Sequence, residues 1–252
     1  SPHRRDPFLG LTLDGKYEIV EAIARGGMGR VYRAVQQPLG REVALKVLDL
    51  EQLQGKTAGG DFAKRFFMEA AACAKLSHPN TVVVYDYGKI EDDEIFYIAM
   101  ELLRGRTLDD VVEENAPMDP AVTIHVALQI CGSLGEAHDS GLVHRDLKPG
   151  NALLRVLPDG SDHVEVLDFG LAKFLDEGTE ASPASPKLTR AGTILGTPAY
   201  MAPEQVEAAA CDARTDVYAA GVMLFELLTG VLPFQHQDPG TMLRAHLVDP
   251  PP

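Results

Sequence analysis

The pattern of the apolar residues turns from mainly strand-like to helical near Arg104, and that switch restricts the fold more than any other feature. Before it, Lys16 to Ala24, Val31 to Val35, Glu42 to Leu48, Thr81 to Tyr87 and Ile95 to Glu101 are β-branched and aromatic runs divided by Gly, Pro or acidic residues. Such runs predict strands. One helix interrupts them, from Asp61 to about Leu76, where Phe62, Phe66, Glu69, Cys73 and Leu76 recur at spacings of three and four. After Arg104 the period is helical. Asp119-Pro120 opens a helix that runs to Ser140 and stops at Gly141; a second is expected from Asp212 to Leu228, closing at Gly230, and a third near Pro239 to His246. The stretch between the two long helices reads as poor in strands. A strand-rich part followed by a helical part predicts an α+β chain.

Composition bounds the function. With 252 residues at about 150 per domain, one large domain or two packed lobes fit the length. A formal net charge of −14 argues against neutralising a nucleic-acid backbone or an anionic membrane, so neither partner is expected for this segment. The most apolar stretch, Val217 to Leu232, is broken by Glu226 and followed by Pro233, which predicts a buried helix rather than a span of about 20 residues. No signal peptide is visible. A cytoplasmic location is expected, either free or as the cytoplasmic domain of a longer, membrane-anchored protein. Cys73, Cys131 and Cys211 form an odd set without a CxxC pair, which suits a reducing compartment and packing roles on helices.

Several motifs can carry chemistry. Ile23, Ala24, Arg25, Gly26, Gly27, Met28, Gly29, Arg30 and Val31 lie between two predicted strands. Glycines there let backbone amides approach a polyphosphate, and they serve a plain hairpin equally well. A dinucleotide fingerprint is disfavoured, because a strand rather than a helix follows Gly29. In Val43-Ala44-Leu45-Lys46, period two puts Ala44 and Lys46 on one face. Glu69 shares the apolar face of its helix with Phe66 and Cys73, where a carboxylate is costly unless paired with a cation such as Lys46. A solvated lysine and an exposed glutamate are the plainer alternatives. His144 to Asn151, followed by Asp168-Phe169-Gly170, is the strongest signal. Asp146 can accept a hydrogen bond from an attacking hydroxyl, Lys148 can offset charge on a phosphoryl group, and Asn151 with Asp168 offer hard oxygen ligands for magnesium. Asp176 to Thr197, rich in Gly, Ser, Thr and Pro, reads as a long loop.

In order along the chain, these motifs, with Gly196 to Glu204 and with Asp216 heading an apolar helix, resemble the catalytic domain of a eukaryotic-like, bacterial-type serine/threonine protein kinase. The likeness runs from about Tyr17 to the C-terminus. It implies a bilobal α+β fold with a β-rich N-lobe at about 17–101, a hinge at about 101–105, a helical C-lobe at about 106–252, and residues 1–16 as an N-terminal extension. It also implies transfer of the γ-phosphoryl group of Mg·ATP to Ser/Thr hydroxyls of protein substrates. Lys46 would hold the α and β phosphates and pair with Glu69. Adenine would lie between Val31 and Ala44 above and Leu153 below, with backbone bonds at Glu101 and Leu103 and with Met100 as gatekeeper. Asp146 would orient the acceptor hydroxyl and take its proton, Lys148 would contact the γ-phosphate, and Asn151 and Asp168 would bind magnesium.

The same likeness implies control by phosphorylation at Thr193 or Thr189, whose phosphate would recruit Arg65, Arg145 and Lys173, with self-association as a route to autophosphorylation. Thr197 would bridge Asp146 and Lys148, while Glu204 and Asp216 would frame the substrate loop. His78, His138 and His144 match structural positions. Two departures stand out: Ala24 occupies the place of the first loop glycine, and the last helices of the larger lobe are expected to be missing, which would leave Glu204 without its arginine partner. Intact Lys46, Asp146 and Asp168 favour catalysis over a pseudokinase or scaffold. The Ala202-Pro203-Glu204 segment and the long loop favour protein substrates over those of an aminoglycoside-type phosphotransferase.

Overall fold

The β-branched and aromatic runs form strands β1 (Thr12–Leu13), β2 (Tyr17–Gly26), β3 (Gly29–Gln36), β4 (Arg41–Asp49), β5 (Val84–Lys89) and β6 (Ile95–Glu101), with helix α1 (Gly60–Cys73) between β4 and β5. The computed structural model describes residues 6–26, 29–49, 60–90, 95–169 and 197–252. Over these the chain divides into two compact units, Ser1–Ala74 with Val82–Leu103, and Lys75–Thr81 with Arg104–Pro252.

The first unit is one sheet in the order β1-β2-β3-β4-β6-β5. Its pairings are antiparallel, and the register lays Tyr32 opposite Leu45, Leu45 opposite Ala99, and Val47 opposite Tyr97. Those side chains, with Ala34 and Val43, form one buried face, closed by Phe8, Leu13, Tyr17 and Ile19. Each large apolar group buried this way stabilises the fold by roughly 1.5–3 kcal/mol. Phe8 and Leu13, ahead of Tyr17, thus pack into this core. On the other face α1 lays Phe62 and Phe66 against Phe96, with ring centroids 5.1 and 4.9 Å apart.

The second unit holds β7 (Arg106–Thr107), α2 (Leu108–Asn115), α3 (Pro120–Asp139), β8 (Ala152–Val156), β9 (Asp162–Val166), a short α4 (Pro203–Val206), α5 (Ala213–Thr229) and α6 (Pro239–Val248). The cap signals act as expected: the Asp119 side chain accepts from the Ala121 N–H, the Asp212 side chain from the Arg214 N–H, and α5 ends on Gly230 at φ 77°. Helix α2, unannounced by the sequence pattern, starts with a capping box in which Thr107 Oγ1 accepts from the Asp110 N–H at 3.2 Å and Asp110 Oδ2 from the Thr107 N–H at 2.9 Å.

The expectation of a strand-poor stretch between the long helices is corrected by β7-β8-β9, a three-stranded sheet. Charged residues hid it: Arg155 and the nearly buried Glu165, on facing strands, form an ion pair at 2.9 Å, while Ala152, Val164 and Val166 are fully buried beside them. A second correction concerns Thr81, expected in a strand with Tyr87. That strand begins at Val84, and Thr81 instead bridges in parallel to Val166, with Asn80 Nδ2 donating to the Val164 carbonyl at 2.7 Å. Cys73 is buried as expected of a packing residue, whereas Cys131 on α3 is exposed. Among the described residues no helix is long and apolar enough to cross a membrane.

Candidate active site

In the first unit, pairing sorts the candidate nucleotide residues. Val31 lies opposite Lys46, which lies opposite Ile98; Ala44 lies opposite Met100. Strand alternation then places Val31, Ala44, Lys46 and Met100 on the face turned away from the apolar core. Ala44, Lys46 and Met100 are nonetheless 8%, 5% and 7% exposed. An ammonium as buried as that of Lys46 requires a partner. Leu48, opposite Phe96, continues this face to where Phe66 packs, and the half-buried Glu69 lies three residues beyond Phe66 on α1.

Gly26 pairs with Gly29 to close β2 on β3, and Gly27 and Met28 lie outside the described residues. Gly29 has φ 146°, and a Cβ there would run into the Val47 carbonyl oxygen, so only glycine fits. Ile23, Ala24 and Arg25 are exposed on β2, beside a register shift between Ala22 and Ala24. Arg30, one position from Val31, points to the opposite face, and its Nη1 donates to Asp6 Oδ2 at 2.8 Å. The Glu101 N–H donates to the Val83 carbonyl at 2.9 Å, and the half-buried Leu103 follows in irregular backbone.

In the second unit, the fully buried Asp216 organises the His144 to Asn151 loop. Its Oδ2 accepts from the His144 N–H at 2.8 Å and from His138 Nε2 at 2.7 Å, and its Oδ1 accepts from the Arg145 N–H at 2.8 Å. Arg145 is thereby held at φ 68°, a left-handed conformation that costs a non-glycine residue roughly 1–2 kcal/mol. Gln205 Nε2 donates to the Arg145 carbonyl at 2.7 Å, a contact for which the sequence carries no pattern. His144 Nε2 donates to the Leu167 carbonyl at 2.7 Å, and His144 Nδ1 accepts from the Asp146 N–H at 3.3 Å, which fixes its tautomer and its structural role.

Asp146 is the product of this scaffolding. Lys148 Nζ approaches its Oδ2 at 2.8 Å, and Asn151 Nδ2 donates to the same oxygen at 3.1 Å and to the Asp146 carbonyl at 2.7 Å. With its amide nitrogen engaged, Asn151 is left with Oδ1 as an oxygen ligand. Asp168 adopts φ 61° two residues beyond β9. Among the described residues no three His, Cys, Asp or Glu side chains could hold a metal ion by themselves. One amide oxygen and one carboxylate suit magnesium, which usually takes one or two protein oxygens and completes its shell with water and phosphate.

Leu153 is half-buried on β8, and a Cβ on Gly105 would run into its side chain. Among the described residues no hydrogen bond joins Thr197 to Asp146 or Lys148, which pair directly. Glu204, expected to lack its arginine partner, accepts from the Thr215 hydroxyl at 2.5 Å. Thr189, Thr193 and Lys173 lie outside the described residues.

Residues 17–249 match the model of the protein kinase domain. The chain is 39% identical over 247 residues to serine/threonine-protein kinase pkn3 of Myxococcus xanthus, covering 98% of this chain and 44% of that protein. It is 36% identical to PrkC of Bacillus subtilis, over 95% of this chain and 34% of that one, and 42% identical to PknL of Mycobacterium tuberculosis, over 91% and 53%. The chain thus spans about half or less of these relatives. A mutant of the Mycobacterium tuberculosis PknI kinase domain superimposes with a TM-score of 0.68 at 26% identity, covering 92% of this chain and 79% of that one.

Proposed function

This chain belongs to the protein kinase domain family, and from that membership we propose that it transfers the γ-phosphoryl group of ATP to serine and threonine hydroxyls of proteins. The observation that carries the proposal is Asp146, whose two side-chain bonds both fall on Oδ2. Its Oδ1 is left to accept a hydrogen bond from the acceptor hydroxyl.

As the acceptor oxygen bonds to the γ-phosphorus, the bond to the β-phosphate oxygen breaks, the hydroxyl proton passes to Asp146, and ADP leaves. Lys148, already beside Asp146, offsets charge on the transferring group. Lys46 takes the α and β phosphates, and its pairing with Glu69 is the arrangement that a buried ammonium calls for. Val31, Ala44, Met100 and Leu153 contact the adenine, and Glu101 offers its carbonyl because its N–H is taken by Val83. Asn151 Oδ1 and the Asp168 carboxylate would hold magnesium, which when bound neutralises phosphate charge. Phosphorylation at Thr189 or Thr193, by a second copy of the chain, would draw in Arg145 and Arg65.

The test is intact-mass measurement after incubation with Mg·ATP and a generic basic protein. Phosphate should be added by the parent chain, whereas Asp146→Asn should be slowed at least ~100-fold, as loss of a general base does, while still binding a non-hydrolysable ATP analogue. A parent chain that adds no phosphate to itself or to the substrate would overturn the proposal.

A further inference from the structure

Asp6 gathers donors from two distant parts of the chain. Its Oδ1 accepts from the Phe8 N–H at 3.0 Å and the Tyr32 hydroxyl at 2.8 Å, and its Oδ2 from Arg30 Nη1 at 2.8 Å. The Arg30 and Asp6 side chains are only 17% and 20% exposed, so this is not the screened surface pair whose worth is near zero. Burial alone would raise the Asp6 carboxyl, but the Phe8 amide, the Tyr32 hydroxyl and Arg30 together hold it below the ordinary carboxylate range. Burial beside that carboxylate pushes the Tyr32 phenol up to about 12. The pair is therefore charged at neutral pH.

The attachment continues past Asp6. Phe8 sets its ring edge-on to Tyr32 with centroids 6.0 Å apart, the Gly10 N–H donates to the Ile19 carbonyl at 3.0 Å, and the Ile19 N–H donates to the Leu11 carbonyl at 2.9 Å. Residues 6–13 thus form a strap along the core face of the sheet, ending in β1. Its first anchor falls on Arg30 and Tyr32, directly after Gly29, where β3 leaves the glycine-rich turn. Val31 stands between those two anchors and faces the other way, opposite Lys46. The end of a strand opens locally more readily than its middle. The strap supplies neighbours at that point.

We propose that Asp6 is a positioning residue for the nucleotide: by clamping Arg30 and Tyr32 from the core side, it fixes the strand that leaves the glycine-rich turn, and with it the placement of Val31. Asp6 touches no nucleotide itself. The proposal rests on the ATP-dependent reading given above.

Steady-state kinetics on the full chain, with a separate titration by a non-hydrolysable ATP analogue and magnesium, provide the test. Asp6→Asn should raise the KM for ATP and the analogue Kd about three- to tenfold, with kcat and the KM for protein substrate within about twofold. Asp6→Glu should recover part of the loss. Arg30→Gln should show a similar defect, and the Asp6→Asn/Arg30→Gln pair should be no worse than the poorer single variant, because both remove one clamp. An unchanged ATP KM and analogue Kd in Asp6→Asn would overturn the proposal, as would a fall in kcat and a rise in both KM values together, the mark of general damage to the fold. If the parent chain binds the analogue but transfers no phosphate, the kinase reading fails while the analogue titration still decides the role of Asp6. A parent chain that binds no nucleotide overturns both.

Discussion

Replacing Asp216 by asparagine removes one charge and leaves the shape unchanged, so it isolates what that carboxylate does. Two of its three bonds fall on Oδ2, so the new amide nitrogen is least costly at the Oδ1 position, where it faces the Arg145 N–H donor to donor. One charge-assisted bond is lost, worth roughly 1.5–3 kcal/mol. The other two become neutral bonds of about half the strength. The sum is about 3–6 kcal/mol, and the left-handed strain at Arg145 acts in the same direction once its anchor is gone. Hydrogen exchange reads this locally. At about 1.4 kcal/mol per factor of ten, the His144 and Arg145 amides of Asp216→Asn should exchange roughly 10²- to 10⁴-fold faster than in the parent. Phosphoryl transfer should fall with them, since Asp146 sits on the loosened loop. Exchange at those two amides within about threefold of the parent would refute the reasoning, because the loop would then hold its shape without the carboxylate.

Gly29→Ala sets a Cβ against the Val47 carbonyl oxygen at a left-handed φ of 146°, so the turn must shift; the expected cost is about 1–3 kcal/mol in thermal unfolding, with ATP-analogue affinity reduced at least tenfold by titration. Burial holds the His246 imidazole below its usual 6.5, and the carbonyls of Pro198 and Ala199, which favour the proton, do not offset it. Between 6.5 and that lower folded value the unfolded chain binds more protons, so stability is full above the window and falls as pH drops through it, by at most ~1.4 kcal/mol per pH unit. Thermal denaturation of His246→Gln at about pH 7.5 and 5.5 should show a smaller pH dependence than the parent, beside a constant loss of about 1 kcal/mol from the broken Tyr218 bond.

The parts of the fold that the sequence made legible are those where local chemistry and tertiary packing agree. Asp119-Pro120, Asp212 and Gly230 mark helix ends by their own side chains or backbone freedom, and the helices end there. The β8-β9 hairpin was hidden because its pairing carries an ion pair, Arg155 with Glu165, where an apolar alternation was sought. Thr81 looked like the start of a strand because its side chain is β-branched; its bridge to Val166 depends on a residue 85 positions away, beyond any local pattern. At the site, motif order put Asp146, Lys148, Asn151 and Lys46 forward as candidates. Geometry was needed to show that Arg30 faces the core side, and to reveal Gln205 beneath Arg145, since neither residue type marks its role.

The segment Lys75–Thr81 has an odd place in the chain, because it is spelled out before the first unit is complete yet rests on the second. Glu136 accepts from the Ser77 and His78 amides, and Val164 and Val166 receive Asn80 and Thr81. During synthesis at about 5–20 residues per second, Val166 emerges roughly 4–17 s after Thr81. For that interval a newly made stretch has no surface to settle on and is open to chaperones. Cutting the gene after Leu103 would make the vacancy permanent, so the first unit is a poor candidate for expression on its own.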